Sequence, residues 1–281
     1  MVFEQLYSPQ YLREHSHVGF LLGVGYTILG LFIALMIFHE DPALIAVGIT
    51  ALFLIPSLYQ LSTVEETIVR KEVNFLRFIK NCLPFIKVYV FVFFGMLFTF
   101  AFFAIMLPKM AANHLFREQL SIILGKAVTF SPQLFWELFT WNLQVLALCF
   151  IISLVAGNGA IIFLAWNASV WGTIFGNLAK TAALTAGASA AIFFLLIMLS
   201  VLPHTFLEGL SYIISAVSGT TISGGLVKER FMSKEMWKIL KFNLLLLIIG
   251  IGVLFVACAV ETYVLGNFTT YRTIIHIAFP R

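Results

Sequence analysis

The sequence predicts an all-α fold: a polytopic integral membrane helical bundle of about seven transmembrane helices plus one re-entrant or broken helix. Hydrophobic residues make up 61% of the 281 positions and charged residues only 11%, whereas a soluble domain carries roughly 25% charged residues. The mean hydropathy is +1.01. Apolar runs of about 20 residues, the length that spans a bilayer, recur along the chain. These observations exclude a soluble globular protein.

The first half of the chain contains three apolar runs of spanning length. They are Val18–Phe38, Pro42–Leu61 and Val88–Leu107. The first 17 residues are polar, and the run that follows is longer than the apolar region of a signal peptide and lacks a small-residue cleavage site. We therefore expect the first span to be retained.

Residues 108–133 have a mixed composition. Four apolar residues share one helical face there while the charged residues lie elsewhere, which predicts a segment resting on the membrane surface. These apolar residues are Leu120, Ile123, Leu124 and Ala127. The pair Ser131-Pro132 is then typical of a helix start, with serine as the N-cap and proline at the first helical position.

The second half of the chain is almost continuously apolar. It predicts five helical segments, Leu138–Ala156, Gly159–Asn177, Ala183–Leu202, Pro203–Val227 and Phe242–Leu265. A polar loop at 228–241 precedes the last of them, and a short tail follows it.

Basic residues concentrate in two loops, at 62–87 and 228–241. Ten of the 17 lysines and arginines lie there: Arg70, Lys71, Arg77, Lys80, Lys87, Lys228, Arg230, Lys234, Lys238 and Lys241. Because basic loops tend to stay in the cytoplasm, we expect both loops and the N-terminus to be inside, in a multi-pass protein of the cell membrane. The turn at Glu40 and Asp41 is then outside.

This orientation requires an odd number of crossings between the outer segment at 108–133 and the inner loop at Lys228, but four helical segments are predicted there. One of them must therefore fail to cross. Pro203–Val227 is the best candidate for a re-entrant element, since it begins with proline, carries Glu208 and contains three late glycines; such backbone needs protein or a watery cavity around it. An alternative places the turn Gly157-Asn158-Gly159 within the membrane, between two halves of one broken span. Seven crossings place the C-terminus outside.

The strongest candidate site is the pair His204 and Glu208. Four residues apart, they share one face of a helix and could exchange a hydrogen bond or a proton. Glu208 is the only acidic residue well inside the apolar region, whereas Glu261 lies near the outer end of the last span. An ionisable residue at such depth suggests function. Asn142 and Asn167 each place an amide in an apolar helix, where it needs a partner and could reach His204 or Glu208. The alternative is that all four are satisfied structural groups.

Small residues at four-residue spacing predict close helix packing. One such series is Ser211, Ser215, Gly219 and Ser223, and another is Ala182, Ala186 and Ala190. A polar lining of a pathway is the alternative for the serines. Gly19-x-x-x-Gly23 is interpreted in the same way, as packing within the chain.

The segment from Glu65-Glu66 to Arg70 matches the E-E-x-x-x-R signature of intramembrane CAAX-type proteases, in which paired glutamates activate water. The F-x-x-x-H motif of that family is absent, because residue 200 is serine. A solvated face at the start of a basic loop is the alternative explanation of the glutamates.

Metal ions, cofactors and nucleic acids are not expected. Cys82, Cys149 and Cys258 are scattered and form neither a disulfide framework nor a metal-binding spacing. The net charge of +4 arises mainly from the two short loops. The expected partners are the lipid bilayer and, within it, other proteins or further copies of the chain.

From residue 88 to residue 265, the order of features resembles the stage II sporulation protein M family. Its members show W/F-x-N at a helix start, N-G at a helix end, P-H-G-x-x-E opening a helix of small residues, and a last span. The corresponding residues are Thr140-Trp141-Asn142, Asn167-Ala168, Pro203-His204-Thr205 with Glu208, and the stretch from Ser215 to Gly225. Ala168 and Thr205 replace glycines of the family pattern.

The resemblance implies three regions: an N-terminal transmembrane helix pair with its basic loop at 1–87, the family core at 88–265, and a short tail at 266–281. It also implies a non-enzymatic membrane scaffold in cell-envelope remodelling, which recruits peptidoglycan-degrading partners. Two other functions stay open from the residues themselves. One is a transporter or channel with a polar site at His204, Glu208, Asn142 and Asn167; the other is an intramembrane hydrolase using Glu65 and Glu66.

Overall fold

The structure, a computed structural model, describes residues 8–69, 72, 74–122, 132–230, 233–267 and 269–278, and these are helical almost throughout. The helices are α1 (Pro9–Glu14), α2 (Val18–Ile37), α3 (Pro42–Val69), α4 (Phe75–Met106), α5 (Lys109–Leu115), α6 (Arg117–Ser121), α7 (Pro132–Ala156), α8 (Ile161–Ala186), α9 (Ala190–Lys228), α10 (Lys234–Asn267) and α11 (Thr269–Ala278). A 3-10 turn, Gly157–Ala160, joins α7 to α8. The prediction of an all-α membrane bundle is confirmed.

Six segments within the described ranges are long and apolar enough to cross a membrane. One of them, 133–186, has 54 residues, which in a straight helix would extend about 80 Å, far more than the roughly 30 Å of a bilayer core. It contains α7, the 3-10 turn and α8. The chain is therefore a multi-pass membrane protein in a lipid bilayer.

The chain reverses direction at the turn between α7 and α8. Along α7, Leu146 meets Ser215 and Phe150 meets Gly219, so α7 runs parallel to the second half of α9. Along α8, Gly172 meets Leu97 and Gly176 meets Ala101, so α8 runs parallel to α4. Rings of α4 and α9 contact each other in antiparallel order, Phe94 with Phe206 and Phe98 with Phe194. Because α7 and α8 run in opposite directions, they form two passes and not one broken span.

The predicted boundary before Pro203 is not a helix end. α9 is continuous over 39 residues, about 58 Å at 1.5 Å per residue, so the predicted segments Ala183–Leu202 and Pro203–Val227 belong to one helix from Ala190 onward. The chain turns earlier, at Gly187, where φ is +64°. A proline inside a membrane helix is tolerated because neighbouring groups re-satisfy the freed carbonyl. With α7, α8 and α9 as three passes, the odd number is met without a re-entrant element.

The two basic segments predicted as loops, 62–87 and 228–241, are largely helical, since α3 extends to Val69, α4 begins at Phe75 and α10 begins at Lys234. Both segments lie at the same end of the bundle. Lys228 at the end of α9 pairs with Glu66 near the end of α3. Phe75 and Phe78 at the start of α4 pack on Phe242 of α10, with ring centroids 5.6 and 5.4 Å apart. We call this the basic end; the turn at Glu40 and Asp41, between α2 and α3, lies at the opposite end.

The first helix of the N-terminal pair, α2, packs closely on α4. A Cβ on Gly19 would lie 2.9 Å from the carbonyl oxygen of Val88, and one on Gly23 would collide with that of Val92. Gly95 makes the reciprocal contact with Phe20. Gly19-x-x-x-Gly23 therefore packs within the chain, as predicted.

The predicted surface segment falls mainly outside the described residues, which omit Ile123, Leu124, Ala127 and the N-cap Ser131. Leu120 lies in the short helix α6, and Pro132 is the first helical residue of α7.

Candidate functional site

A polar cluster joins α7, α9 and α10 near the middle of α9. The side-chain amide of Asn142 donates a hydrogen bond of 2.9 Å to Glu208 Oε1, and Glu208 is only 6% exposed. The same amide nitrogen lies 3.8 Å from Cys258 Sγ on α10. Asn142 thus links one glutamate of α9 to the facing helix α10.

Glu261 of α10 completes this cluster. Its carboxyl group interacts directly with that of Glu208, and its buried Oε2 has no hydrogen-bond partner within the described ranges. Two carboxylates in contact in a low-dielectric interior repel each other strongly when both are ionised. Sequence reasoning placed Glu261 only at the outer end of the last span. The available signal was that Glu261 is the one acidic residue within Phe242–Leu265.

His204 lies one turn before Glu208 and is also buried, at 7% exposure. No hydrogen bond joins the two side chains, and His204 Nδ1 has no partner among the residues that the structure describes. The expected His204–Glu208 hydrogen bond is therefore not formed in this structure, because the Glu208 carboxyl is engaged by Asn142 and Glu261 instead.

Asn167 stands apart from the other three predicted site residues. Its amide donates a 2.8 Å hydrogen bond to the carbonyl of Phe163, one turn earlier in α8. An amide that bonds its own helix is satisfied without a partner from another helix. The structure thus brings together Asn142 and Glu208, keeps His204 on the same face, and leaves Asn167 outside the cluster.

Two members of the serine and glycine series, Ser215 and Gly219, hold α7 against α9. Ser215 Oγ donates a 2.8 Å hydrogen bond to the carbonyl of Leu146, and a Cβ on Gly219 would lie 2.5 Å from the carbonyl oxygen of Phe150. Ser211 Oγ bonds the carbonyl of Glu208 in its own helix, and Ser223 is half-buried. This close contact is what small residues at such spacing allow.

The alanine series does not form one helix face. Ala182 is fully buried in α8, but Ala186 is the last residue of that helix and is exposed. Ala190 is the first residue of the next helix, α9. The prediction of one packing stripe through all three is wrong, because the turn at Gly187 separates them.

A second polar layer lies toward the basic end and was missed by the sequence analysis. Tyr89 Oη donates to Asn158 Oδ1 at 2.6 Å, and Asn158 Nδ2 donates to Ser62 Oγ at 3.1 Å. Thr220 Oγ1 donates to the carbonyl of Gly157 at 3.0 Å. These bonds fasten the turn between α7 and α8 to α3, α4 and α9. The sequence analysis identified the turn Gly157-Asn158-Gly159 but not the side chains that hold it, because those lie far away in the sequence.

Glu65 and Glu66 are both buried, at 3% and 8% exposure, and so do not form a solvated face. Glu66 forms an ion pair with Lys228 and occupies space left by Gly224, which has no side chain. Glu65 lies against Cys82, and neither of its carboxylate oxygens has a hydrogen-bond partner in the described part of the chain.

Comparison with known proteins gives one result. The family model described as stage II sporulation protein M matches residues 89–264, more than half of the chain. The match begins and ends within one residue of the region that the sequence analysis delimited. Neither the curated proteins nor the solved structures contain a significant match.

Proposed function

Because the chain belongs to the stage II sporulation protein M family, we propose that it is a non-enzymatic scaffold, a component of a membrane or cell-envelope complex. Its partners in this proposal are other membrane or envelope proteins. The N-terminus and the basic end face the cytoplasm, following the distribution of lysine and arginine, and the C-terminus faces outside.

The closed contact between α7 and α9 is the observation that carries the proposal. Gly219 leaves no room for a side chain against Phe150, and Ser215 bonds directly to the backbone of Leu146. Asn142 spans the same interface to reach Glu208. Polar groups that satisfy one another across touching helices hold a bundle together. A rigid bundle of this kind suits a protein whose role is to present surfaces to partners.

Affinity purification from native membranes in mild detergent tests the scaffold proposal. We expect a membrane or envelope protein to copurify at a constant ratio to the chain, as identified by mass spectrometry. An unrelated multi-pass protein with the same tag controls for non-specific capture. A chain that purifies alone, or only with further copies of itself, contradicts the proposal.

A transporter or channel is the second candidate, and the contact of the buried Glu208 carboxyl group with that of the half-buried Glu261 favours it. Ionisable residues inside the membrane commonly mark ion and substrate pathways. If this candidate holds, Glu208→Gln abolishes a flux that the reconstituted chain supports, whereas Glu235→Gln, which alters an exposed glutamate at the basic end, leaves it unchanged. Equal flux in both variants contradicts the transporter.

A further inference from the structure

The carboxyl groups of Glu208 and Glu261, which we call the carboxyl pair, meet between α9 and α10 without a basic side chain to balance them. Glu208 is buried in the middle of α9, and Glu261 is half-buried near the end of α10. Within the described ranges, no lysine or arginine interacts with either carboxyl group. If both were ionised, two uncompensated negative charges would lie in contact in a low-dielectric interior.

The direct contact between the two carboxyl groups requires a hydrogen. An ionised carboxylate only accepts hydrogen bonds, so two of them cannot bond to each other. The Asn142 amide nitrogen lies 2.9 Å from Glu208 Oε1 and 3.8 Å from Cys258 Sγ, so its hydrogens face these two atoms. Oε2 of Glu261 is buried and receives no donor from the part of the chain that the structure describes.

The two hydroxyl groups next to the pair in the sequence are directed to the backbone. Ser211 Oγ donates to the carbonyl of Glu208 at 2.7 Å, and Thr262 Oγ1 donates to the carbonyl of Cys258 at 2.6 Å. Neither hydroxyl supplies a hydrogen to the carboxyl contact. The hydrogen of that contact therefore has to be a proton on one of the carboxyl groups themselves.

The other titratable side chains around the pair offer no compensating positive charge. Those in the described ranges are His204 and Tyr212 of α9, Cys149 of α7 and Cys258 of α10. A phenol and two thiols are neutral or negative. His204 Nδ1 is buried without a partner among the described residues, so a protonated imidazole would leave an N–H there without an acceptor.

We propose that Glu208 and Glu261 share one proton and together form a proton-binding site between α9 and α10. The proton gives the contact an O–H donor and leaves one negative charge, which the Asn142 amide stabilises. The site is proposed from the geometry of the pair alone, so it holds for a scaffold as well as for a transporter. For a transporter it names the proton as the bound ion.

Infrared spectroscopy of the purified full chain in nanodiscs counts the protons on the pair, because protonated and ionised carboxyl groups absorb at different frequencies. The spectrum of Glu208→Gln/Glu261→Gln is subtracted from that of the wild type, both at neutral pH and at an acid pH that protonates both glutamates. At neutral pH we expect carboxylate bands together with an acid carbonyl band about half as intense as the one at acid pH. This ratio corresponds to one proton on two carboxyl groups.

The matched control is Glu235→Gln, which removes an exposed glutamate at the basic end and is expected to remove carboxylate bands only. Glutamine keeps the shape of glutamate and carries its own donor, so we expect the double variant to fold. If it does not, Glu208→Met/Glu261→Met replaces it, since apolar side chains of similar volume commonly substitute for buried charged groups.

Two results overturn the proposal. A difference spectrum without an acid carbonyl band at neutral pH means that both carboxyl groups are ionised. An acid carbonyl band of full intensity, without carboxylate bands, means that each carboxyl group holds its own proton. Both results are independent of copurifying partners and of flux, so they leave the tests of the scaffold and of the transporter unchanged.

Discussion

The side chains of Asn142 and Glu208, 66 residues apart in the sequence, are joined by a 2.9 Å hydrogen bond between α7 and α9. The bond ties the middle of α7 to the middle of α9. It also places Glu208 where Glu261 of α10 can reach it. The Asn142 amide therefore connects three helices, α7, α9 and α10.

Replacing Asn142 with alanine is expected to destabilise the bundle by about 1–2 kcal/mol, because a buried carboxyl group loses its donor. Thermal unfolding of the purified variant measures this. Asn167→Ala is the control, since that amide bonds only its own helix. Equal losses in the two variants would show that the contact between helices contributes nothing specific.

Gly219→Ala is expected to cost about 1–3 kcal/mol, because the added methyl group meets Phe150 and Ser153 at 2.5 and 2.8 Å. Gly252→Ala places the same group in α10 with no atom within 4 Å, and it should be neutral or slightly stabilising, since alanine favours helix. Denaturant unfolding in detergent compares them. A harmless Gly219→Ala would contradict the closed contact between α7 and α9.

The pair Glu66 and Lys228 fastens α3 to α9 at the basic end. A double-mutant cycle with Glu66→Gln and Lys228→Gln should give a coupling of only about 0.5–1 kcal/mol, since the lysine side chain is 37% exposed. Additive effects would mean that the pair does not stabilise the chain.

The same glutamate, Glu66, also bears on the hydrolase alternative, because Glu66→Gln would abolish any proteolytic activity that depended on it.

Much of the bundle could be predicted because a helix needs about 20 mostly apolar residues to cross a bilayer, and runs of that length are visible in the sequence. The apolar runs located α2 closely, from Val18 to Ile37, and the start of α3 at Pro42. The predicted spans were too short where helices continue beyond the bilayer. The predicted end at Leu61 came too early, because α3 extends to Val69, and the predicted start at Val88 came too late, because α4 begins at Phe75. Hydropathy detects the part of a helix that lies in lipid and not its polar extension.

The errors have a physical cause. Proline usually breaks helices in water, so Pro203 was interpreted as a helix start, yet α9 passes through it. The contact of Glu208 with Glu261 depends on how α9 and α10 pack, and no local periodicity encodes that pairing. The possibility that Asn142 reaches Glu208 could be raised from sequence only because both are polar groups in apolar helices.

The single passage of α9 through the membrane is the central structural claim, and the location of its two ends tests it most directly. Cysteine is introduced at Ser189 or at Glu229, on either side of α9, in a chain without its native cysteines. Intact cells are then treated with a membrane-impermeant maleimide, which labels only cysteines that face outside. Lysed membranes are treated in parallel to measure the total labelling of each cysteine. We predict that residue 189 is labelled in intact cells and that residue 229 is labelled only after lysis. Labelling of both positions from the same side would contradict one continuous crossing.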